Sequence, residues 1–143
     1  MEMGGVVSFA HCSFQNKKTM RQFSFERLDV WQRGRELCKL VYQISKNFPP
    51  DERFGATQQI LRAVLSVTCN LAEGSSRHKG IEKARYTEIA YGSLMEVLNI
   101  LIVGTDLDFL NEETLNQIRP LIEEISNKLN KLRESQLAQG DLK

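Results

Sequence analysis

The last third of the chain carries apolar residues at alternating steps of three and four positions. An α-helix has about 3.6 residues per turn, so such steps place successive side chains on one side of a helix. A single apolar seam of this kind must pack against other helices. No alternation of the β type competes with it over a useful length anywhere in the chain. The seam is formed by Leu115, Ile118, Ile122, Ile125, Leu129 and Leu132.

Three more amphipathic segments precede this seam. Pro49 and Pro50 end the first, because proline lacks a backbone donor and pushes the residue before it out of the helical region. Gly74 is expected in the left-handed conformation just past the second helix. Asn111 is suited to cap the fourth helix. The first three predicted helices cover residues 28–48, 54–73 and 81–105, and the fourth begins after residue 111.

The pattern predicts a single all-α domain, an antiparallel up-down-up-down four-helix bundle at residues 23–135. Residues 1–22 are expected to form a disordered or extended leader, and residues 136–143 a frayed tail. Pro120 lies inside the fourth helix and predicts a kink or a break near Asn116–Arg119. A length of 143 residues suits one soluble domain.

Composition excludes several classes of protein. The longest apolar stretches, such as Leu98–Val103, stop far short of the ~20 residues that cross a bilayer, so no membrane span is predicted. Three cysteines, an odd number without metal-type spacing, favour a reducing cytoplasm. The net charge of +1 is the sum of +1 over residues 1–19, +4 over residues 20–91 and −4 over residues 92–143. This asymmetry is typical of a basic binding face, or of complementary packing between helices or subunits.

Helices two and three carry a second apolar stripe beside the core stripe. A helix that is apolar on two sides is buried on two sides, which predicts assembly with further copies of the chain. The alternative is that both stripes serve one wide core. The residues of this predicted oligomer interface are Leu61, Leu65, Tyr91, Met95, Leu98 and Ile102.

The motifs do not favour catalysis, a metal or a cofactor. Di-iron sites in helical bundles need glutamates and a histidine three residues after a glutamate, and neither His11 nor His78 stands there. No cysteine belongs to a motif with a histidine that would indicate a nucleophile. Glycine patterns that bind phosphates or dinucleotides are missing from the sequence. We therefore expect no enzyme.

Two polar groups of residues remain as candidate sites. A band along one edge of helix two is either a recognition stripe or a polar network that sets the register of helices or subunits; it consists of Arg62, Ser66, Asn70 and Glu73. A basic corner follows helix two and is either a phosphate-binding site or a solvated loop. The corner consists of Arg77, Lys79, Lys83 and Arg85.

Five linked motifs resemble the four-helix bundle proteins encoded in intervening sequences of bacterial 23S ribosomal RNA genes. They cover about residues 23–133 and are LDVW at 28–31, FPPDERFG at 48–55, QILRA at 59–63, NLAEG at 70–74 with Arg77, and IAYGSLME at 89–96. The accessory variability protein of diversity-generating retroelements is similar to this family. The resemblance implies a bundle that assembles as a homopentamer, with RNA, DNA, a reverse transcriptase or a ribonucleoprotein as partners.

The resemblance also carries individual positions onto this chain. Most are expected to be structural or to lie at a subunit interface, with the glycines allowing a turn or a close approach of helices. Arg62 is expected to pair with Glu73 or Glu96, within or between subunits. These family positions are Trp31, Arg62, Asn70, Glu73, Gly74, Gly92, Ser93 and Glu96.

The sequence thus favours a non-enzymatic, oligomeric helical bundle that binds nucleic acid or a ribonucleoprotein through the basic corner. The alternative is a scaffold for protein–protein interaction that binds no nucleic acid. Both hypotheses place the protein in the cytoplasm.

Overall fold

The four segments with three- and four-residue apolar spacing form four α-helices. A computed structural model describes residues 20–140 of the chain, and within that range it contains no strand. Short 3-10 turns at Ser24–Arg27 and Pro50–Glu52 precede the first two helices. The predicted all-helical fold is confirmed. The helices are α1 (Asp29–Ser45), α2 (Ala56–Ser75), α3 (Gly80–Asp106) and α4 (Glu112–Gly140).

The core lies where the four helices face one another. Helix α1 packs on α2 and α4, and α3 packs on the same two helices, so each helix has two neighbours. The seam of α4 is buried as predicted, except for Leu132, which is half-buried. The largest fully buried side chains are Leu37, Ile60, Leu94, Leu101, Ile122, Ile125 and Leu129.

The fourth helix differs from the sequence prediction at two places. It runs without a break through Pro120, so of the two predicted outcomes near Asn116–Arg119 the break is absent and the kink stays a prediction. Buried Ile118 and Ile122 on either side of the proline belong to one seam, and their packing holds the helix together. Helix α4 also extends to Gly140 instead of ending at residue 135. The side chain of Gln136 is buried and accepts a hydrogen bond of 2.6 Å from the Thr87 hydroxyl of α3.

Gly74 is part of α2 and does not end it in the left-handed conformation. The helix continues to Ser75, and no described glycine has a positive φ. A Cβ atom at Gly74 would lie 2.8 Å from the Cβ of Tyr86 and 3.4 Å from the carbonyl oxygen of Lys83. The glycine is therefore needed because α2 and α3 approach each other closely at this point.

Ion pairs connect α1 to α4 at the surface. The Arg33 guanidinium donates to the carboxylate of Glu124, and the Lys128 ammonium donates to that of Asp29. The hydrogen bond from Arg33 holds the pKa of Glu124 below its ordinary value, and the bond to Asp29 raises the pKa of Lys128. Both shifts favour the charged forms, so Glu124 stays ionised to more acidic pH, and Lys128 stays protonated to more alkaline pH, than the isolated side chains would.

The second apolar stripe is largely taken up by the chain itself. Five of the six residues predicted for the oligomer interface are half-buried and pack against the core; they are Leu61, Tyr91, Met95, Leu98 and Ile102. Only Leu65 is exposed, at 42%. This arrangement agrees with the alternative in which both apolar stripes serve one wide core. An oligomer interface through these six residues stays a prediction.

Helix α3 is the most apolar helix of the described chain. By length and composition alone it could cross a membrane, and 39% of its most apolar window is buried inside the fold. Its buried residues include Ala90, Leu94, Val97 and Leu101, all in the core cluster. Because α3 packs against both α2 and α4, its composition is that of a central core helix.

Candidate nucleic-acid interface

The short turn between α2 and α3 brings Arg77 over the first turns of α3. The Arg77 guanidinium donates a 2.6 Å hydrogen bond from Nη2 to the Tyr86 hydroxyl. Its Cζ atom lies 4.9 Å from the centroid of the Tyr86 ring, a cation–π contact. The tyrosine is itself positioned by the close approach of its Cβ to Gly74. Arg77 is therefore held in one orientation, although it is exposed.

A cleft of about 330 Å³ lies beside this pair of side chains. The lining residues of α3 recur at three- and four-residue steps on the outer side of the helix. Ile89 forms one wall and is 46% exposed. We call this the turn cleft; it is lined by Arg77, Glu82, Arg85, Tyr86 and Ile89.

Two guanidinium groups line the turn cleft, and neither forms an ion pair within the described residues. They belong to Arg77 and Arg85, and within residues 20–140 the same holds for Lys79, which precedes α3 as its N-cap residue. Glu82 is the one acidic residue that lines the cleft. Two guanidinium groups at one opening are suited to bind phosphate oxygens, because each can donate two parallel hydrogen bonds.

Lys83 lies apart from the other residues of the predicted basic corner. It is half-buried and lines a separate cleft of about 190 Å³ that also includes Leu71, Leu132 and Gln136. Positions 83 and 85 are two residues apart and point to different sides of a helix. The structure therefore brings Arg77 and Arg85 together, keeps Lys79 exposed at the start of α3, and places Lys83 elsewhere.

The four residues of the polar band on α2 likewise do not all lie in one group. The hydroxyl oxygens of Ser66 and Ser93 lie 2.7 Å apart and form a hydrogen bond between α2 and α3. The Asn70 amide donates to the Ser66 hydroxyl at 2.9 Å and to the Ser66 carbonyl at 2.8 Å. These three residues form the polar network that sets the register of the two helices. Arg62 and Glu73 are exposed and do not belong to it.

The ion pairs expected for Arg62 do not form within residues 20–140, where Arg62 contacts neither Glu73 nor Glu96 as a salt bridge. Glu96 accepts a 3.1 Å hydrogen bond from the Gln59 amide instead. A pair between subunits stays a prediction. Arg62 and Glu96 line an open cleft of about 540 Å³ together with Phe54, whose side chain is 81% exposed.

The remaining family positions have structural surroundings of different kinds. Trp31 is half-buried and meets the ring of Phe25 edge to face, with centroids 5.0 Å apart, so it fastens the N-terminal turn to α1. The Arg35 guanidinium covers its ring at 4.9 Å. Gly92 is exposed in the middle of α3, and a Cβ atom there would have no described neighbour within 4 Å. Gly92 thus lacks the packing reason that Gly74 has.

The family model of the 23S rRNA-intervening sequence protein matches residues 26–131, which is most of the chain and includes every residue that lines the turn cleft. The chain belongs to this family. It is also similar to the crystal structure of a protein with unknown function from the S23 ribosomal protein family of Bacteroides thetaiotaomicron. That likeness has a TM-score of 0.55 at 17% identity and covers 78% of this chain and 98% of the other, so it supports the fold. No curated protein matches the chain.

The descriptions of the 23S rRNA-intervening sequence protein family and of this structural neighbour name no enzymatic activity. In the part of the chain that the structure describes, no three histidine, cysteine, aspartate or glutamate side chains are grouped as metal ligands. Burial raises the pKa of the Cys38 thiol, which disfavours the reactive thiolate there.

Tyr86 and Ile89 are site residues that sequence reasoning missed. The helical period of α3 groups Tyr86 with the core positions, yet in this family member its ring lies under Arg77 at the surface. The signal that could have revealed the cleft is the position of Ile89. It stands four residues after Arg85 and three after Tyr86, a spacing that places it on the same side of α3 as these two cleft residues.

Proposed function

We propose that this protein of the 23S rRNA-intervening sequence family is a non-enzymatic, cytoplasmic helical protein that binds RNA or DNA through the turn cleft. The observation that carries the proposal is the pair of guanidinium groups, Arg77 and Arg85, at one cleft with no neutralising carboxylate on either within residues 20–140. The membership in a family described by ribosomal RNA gene segments supports a nucleic-acid partner.

The charge of the whole chain does not oppose this proposal. Binding to a phosphate backbone depends on local cations that release condensed counterions, and a net charge of +1 is compatible with a local basic patch. Lys79 adds a third exposed cation two residues after Arg77. Three cations near one cleft predict an affinity that falls steeply as the salt concentration rises.

Reversal of the three charges is the direct test. The variant Arg77→Glu, Lys79→Glu, Arg85→Glu is expected to bind a short RNA or DNA at least about tenfold more weakly at low salt. The slope of log affinity against log salt concentration should become shallower by about one unit per lost phosphate contact. Fluorescence anisotropy at several salt concentrations measures both quantities.

The matched control reverses three exposed lysines far from the cleft in sequence, with the variant Lys39→Glu, Lys46→Glu, Lys131→Glu. It changes the net charge by the same amount and should retain most of the affinity. Equal losses in both variants would show that net charge alone drives binding and would contradict a site at the turn cleft. If the unmodified protein binds no nucleic acid at low salt, the proposal is wrong, and the alternative of a protein-interaction scaffold is left.

We also propose that the helices run antiparallel and that the bundle assembles as a homopentamer. Short connections between successive helices support the antiparallel order. Exposed Leu65 on α2 and the open space around Gly92 on α3 support a contact between copies. Five copies would present five turn clefts to one nucleic acid, which raises the overall affinity without new contacts. Residues Leu61, Tyr91, Met95, Leu98 and Ile102 complete the proposed interface.

Light scattering coupled to size exclusion is expected to give about five times the 16.4 kDa mass of the chain. Assembly would account for the exposed apolar residues of α2 and α3, which are costly to leave in water. The mass of a single chain at micromolar concentration would contradict the pentamer. That result would not bear on the nucleic-acid proposal, which the anisotropy measurements test separately.

A further inference from the structure

The turn cleft has more than the charge that phosphate binding requires. Its walls include an aromatic ring, an exposed aliphatic side chain and a carboxylate, in addition to two guanidinium groups. A site that contacts only a phosphate backbone needs cations alone. From these additional groups we infer that the turn cleft holds one unpaired nucleotide, with its base against Arg77 and Ile89 and its phosphate on Arg85. This inference rests on the proposed function.

The planar surface for the base is the guanidinium of Arg77. Bases of single strands stack on aromatic rings and on arginine planes. Here the guanidinium already lies over the ring of Tyr86, with 4.9 Å between Cζ and the ring centroid, and a 2.6 Å hydrogen bond to the tyrosine hydroxyl anchors it. Because Arg77 is ordered before binding, the association loses less side-chain entropy than it would with a free arginine.

The apolar wall for the base is Ile89. Its side chain is 46% exposed and is the aliphatic side chain among the residues that line the cleft. A base that packs against it removes apolar surface from water. The volume of about 330 Å³ is within the range of small-molecule sites, which extends from about 300 Å³ upward.

Glu82 is expected to make the cleft select a nucleotide over an inorganic phosphate ion. A carboxylate in the wall repels a small anion that enters the cleft. The same carboxylate accepts hydrogen bonds from an exocyclic amine of a base or from a ribose hydroxyl. A nucleotide can direct its phosphate towards Arg85 and its donor groups towards Glu82, whereas inorganic phosphate has only the anionic end.

The geometry therefore predicts a preference for single strands over duplexes. In a duplex the bases are paired and stacked on one another, and their faces are not available to the protein. Phosphates are present in both forms. Charge at the cleft attracts both, and the contacts with Arg77 and Ile89 can form only with the unpaired strand.

The test compares single-stranded RNA and DNA of about 12 nucleotides with duplexes of the same sequence, by anisotropy at one salt concentration. The full chain is used throughout. Variant Arg77→Lys keeps the charge but removes the planar group. Variant Ile89→Ser removes the apolar wall. Variant Ile81→Ser is the matched control, because Ile81 is 65% exposed on the same helix and does not line the cleft.

The expected result is single-strand binding about 5- to 10-fold tighter than duplex binding. Arg77→Lys and Ile89→Ser should each weaken single-strand binding by about fivefold, and Ile89→Ser, which removes no charge, should weaken it more than it weakens duplex binding. Ile81→Ser should change neither. Thermal unfolding of each variant, followed by circular dichroism, verifies that the exposed substitutions leave the fold intact.

Three results would overturn the inference in different ways. Equal binding of single strands and duplexes that Arg77→Lys and Ile89→Ser leave unchanged would contradict the nucleotide pocket and retain a phosphate-binding corner. Loss of affinity in Ile81→Ser as large as that in Ile89→Ser would assign the effect to general apolar contact and also contradict it. No binding of either form would refute the proposed function, and the inference with it.

Discussion

Replacing Leu94 with alanine is expected to lower the free energy of unfolding by about 2–5 kcal/mol. Leu94 has no exposed surface and belongs to the core cluster of α3, the helix that packs on both α2 and α4. The substitution removes buried apolar atoms and leaves a cavity that the neighbouring helices can close only in part. Urea unfolding followed by circular dichroism measures the change.

The matched control for this prediction is Leu40→Ala. Leu40 is 39% exposed on α1, outside the predicted oligomer interface, and the same atoms are removed. The loss is expected to be below about 1 kcal/mol because the leucine is partly hydrated before the change. A similar loss at both positions would contradict the assignment of the core to Leu94 and its neighbours.

Replacing Gly74 and Gly92 with alanine is expected to change stability in opposite directions. Alanine at Gly74 would place a Cβ atom 2.8 Å from the Cβ of Tyr86, so α2 and α3 must separate, at a cost of about 1–3 kcal/mol. This cost exceeds the roughly 1 kcal/mol that alanine gains over glycine inside a helix. At Gly92 a Cβ atom meets no described neighbour within 4 Å, so only the gain of about 0.5–1 kcal/mol remains.

Unfolding curves of the two variants measure both changes in stability. Gly74→Ala is also expected to affect nucleic-acid binding. Displacement of Tyr86 also displaces the partner that orients Arg77, so this variant should bind nucleic acid more weakly than the parent. Destabilisation by Gly92→Ala would contradict an open surface at Gly92 in the isolated chain. If Gly92→Ala were destabilising and light scattering also showed fewer copies per assembly, the added Cβ atom would be assigned to a clash in the interface between copies.

Sequence reasoning was most reliable where periodicity alone decides the structure. The seam of α4 is buried as its spacing predicts, because the helical repeat determines which side chains share a face. Of the kink or break expected at Pro120, the break does not occur, because packing on both sides of the proline outweighs the local loss of a hydrogen bond. Sequence reasoning also ended α2 at Gly74, because a glycine that permits close packing and one that ends a helix look the same in a sequence.

The candidate site was only partly predictable for the same reason. Arg77 and Arg85 could be assigned to a basic corner from their nearness in the chain, and the structure brings them to one cleft. Lys83 has the same charge and lies between them in sequence, yet the helix turns it towards Leu71 and Leu132. Tyr86 entered the site because Gly74 lets α3 approach α2, which is a contact between residues 12 positions apart.

The amino-acid sequence by itself determined the number of helices, their apolar faces and the family of the protein. These depend on local periodicity and on linked motifs, which are properties of neighbouring residues. Only the tertiary structure decided where the helices end, which polar side chains join across α2 and α3, and which cations share the turn cleft. Those features depend on the distance between two helices and on their rotation, which are set by packing of the whole core and are not encoded in any short segment.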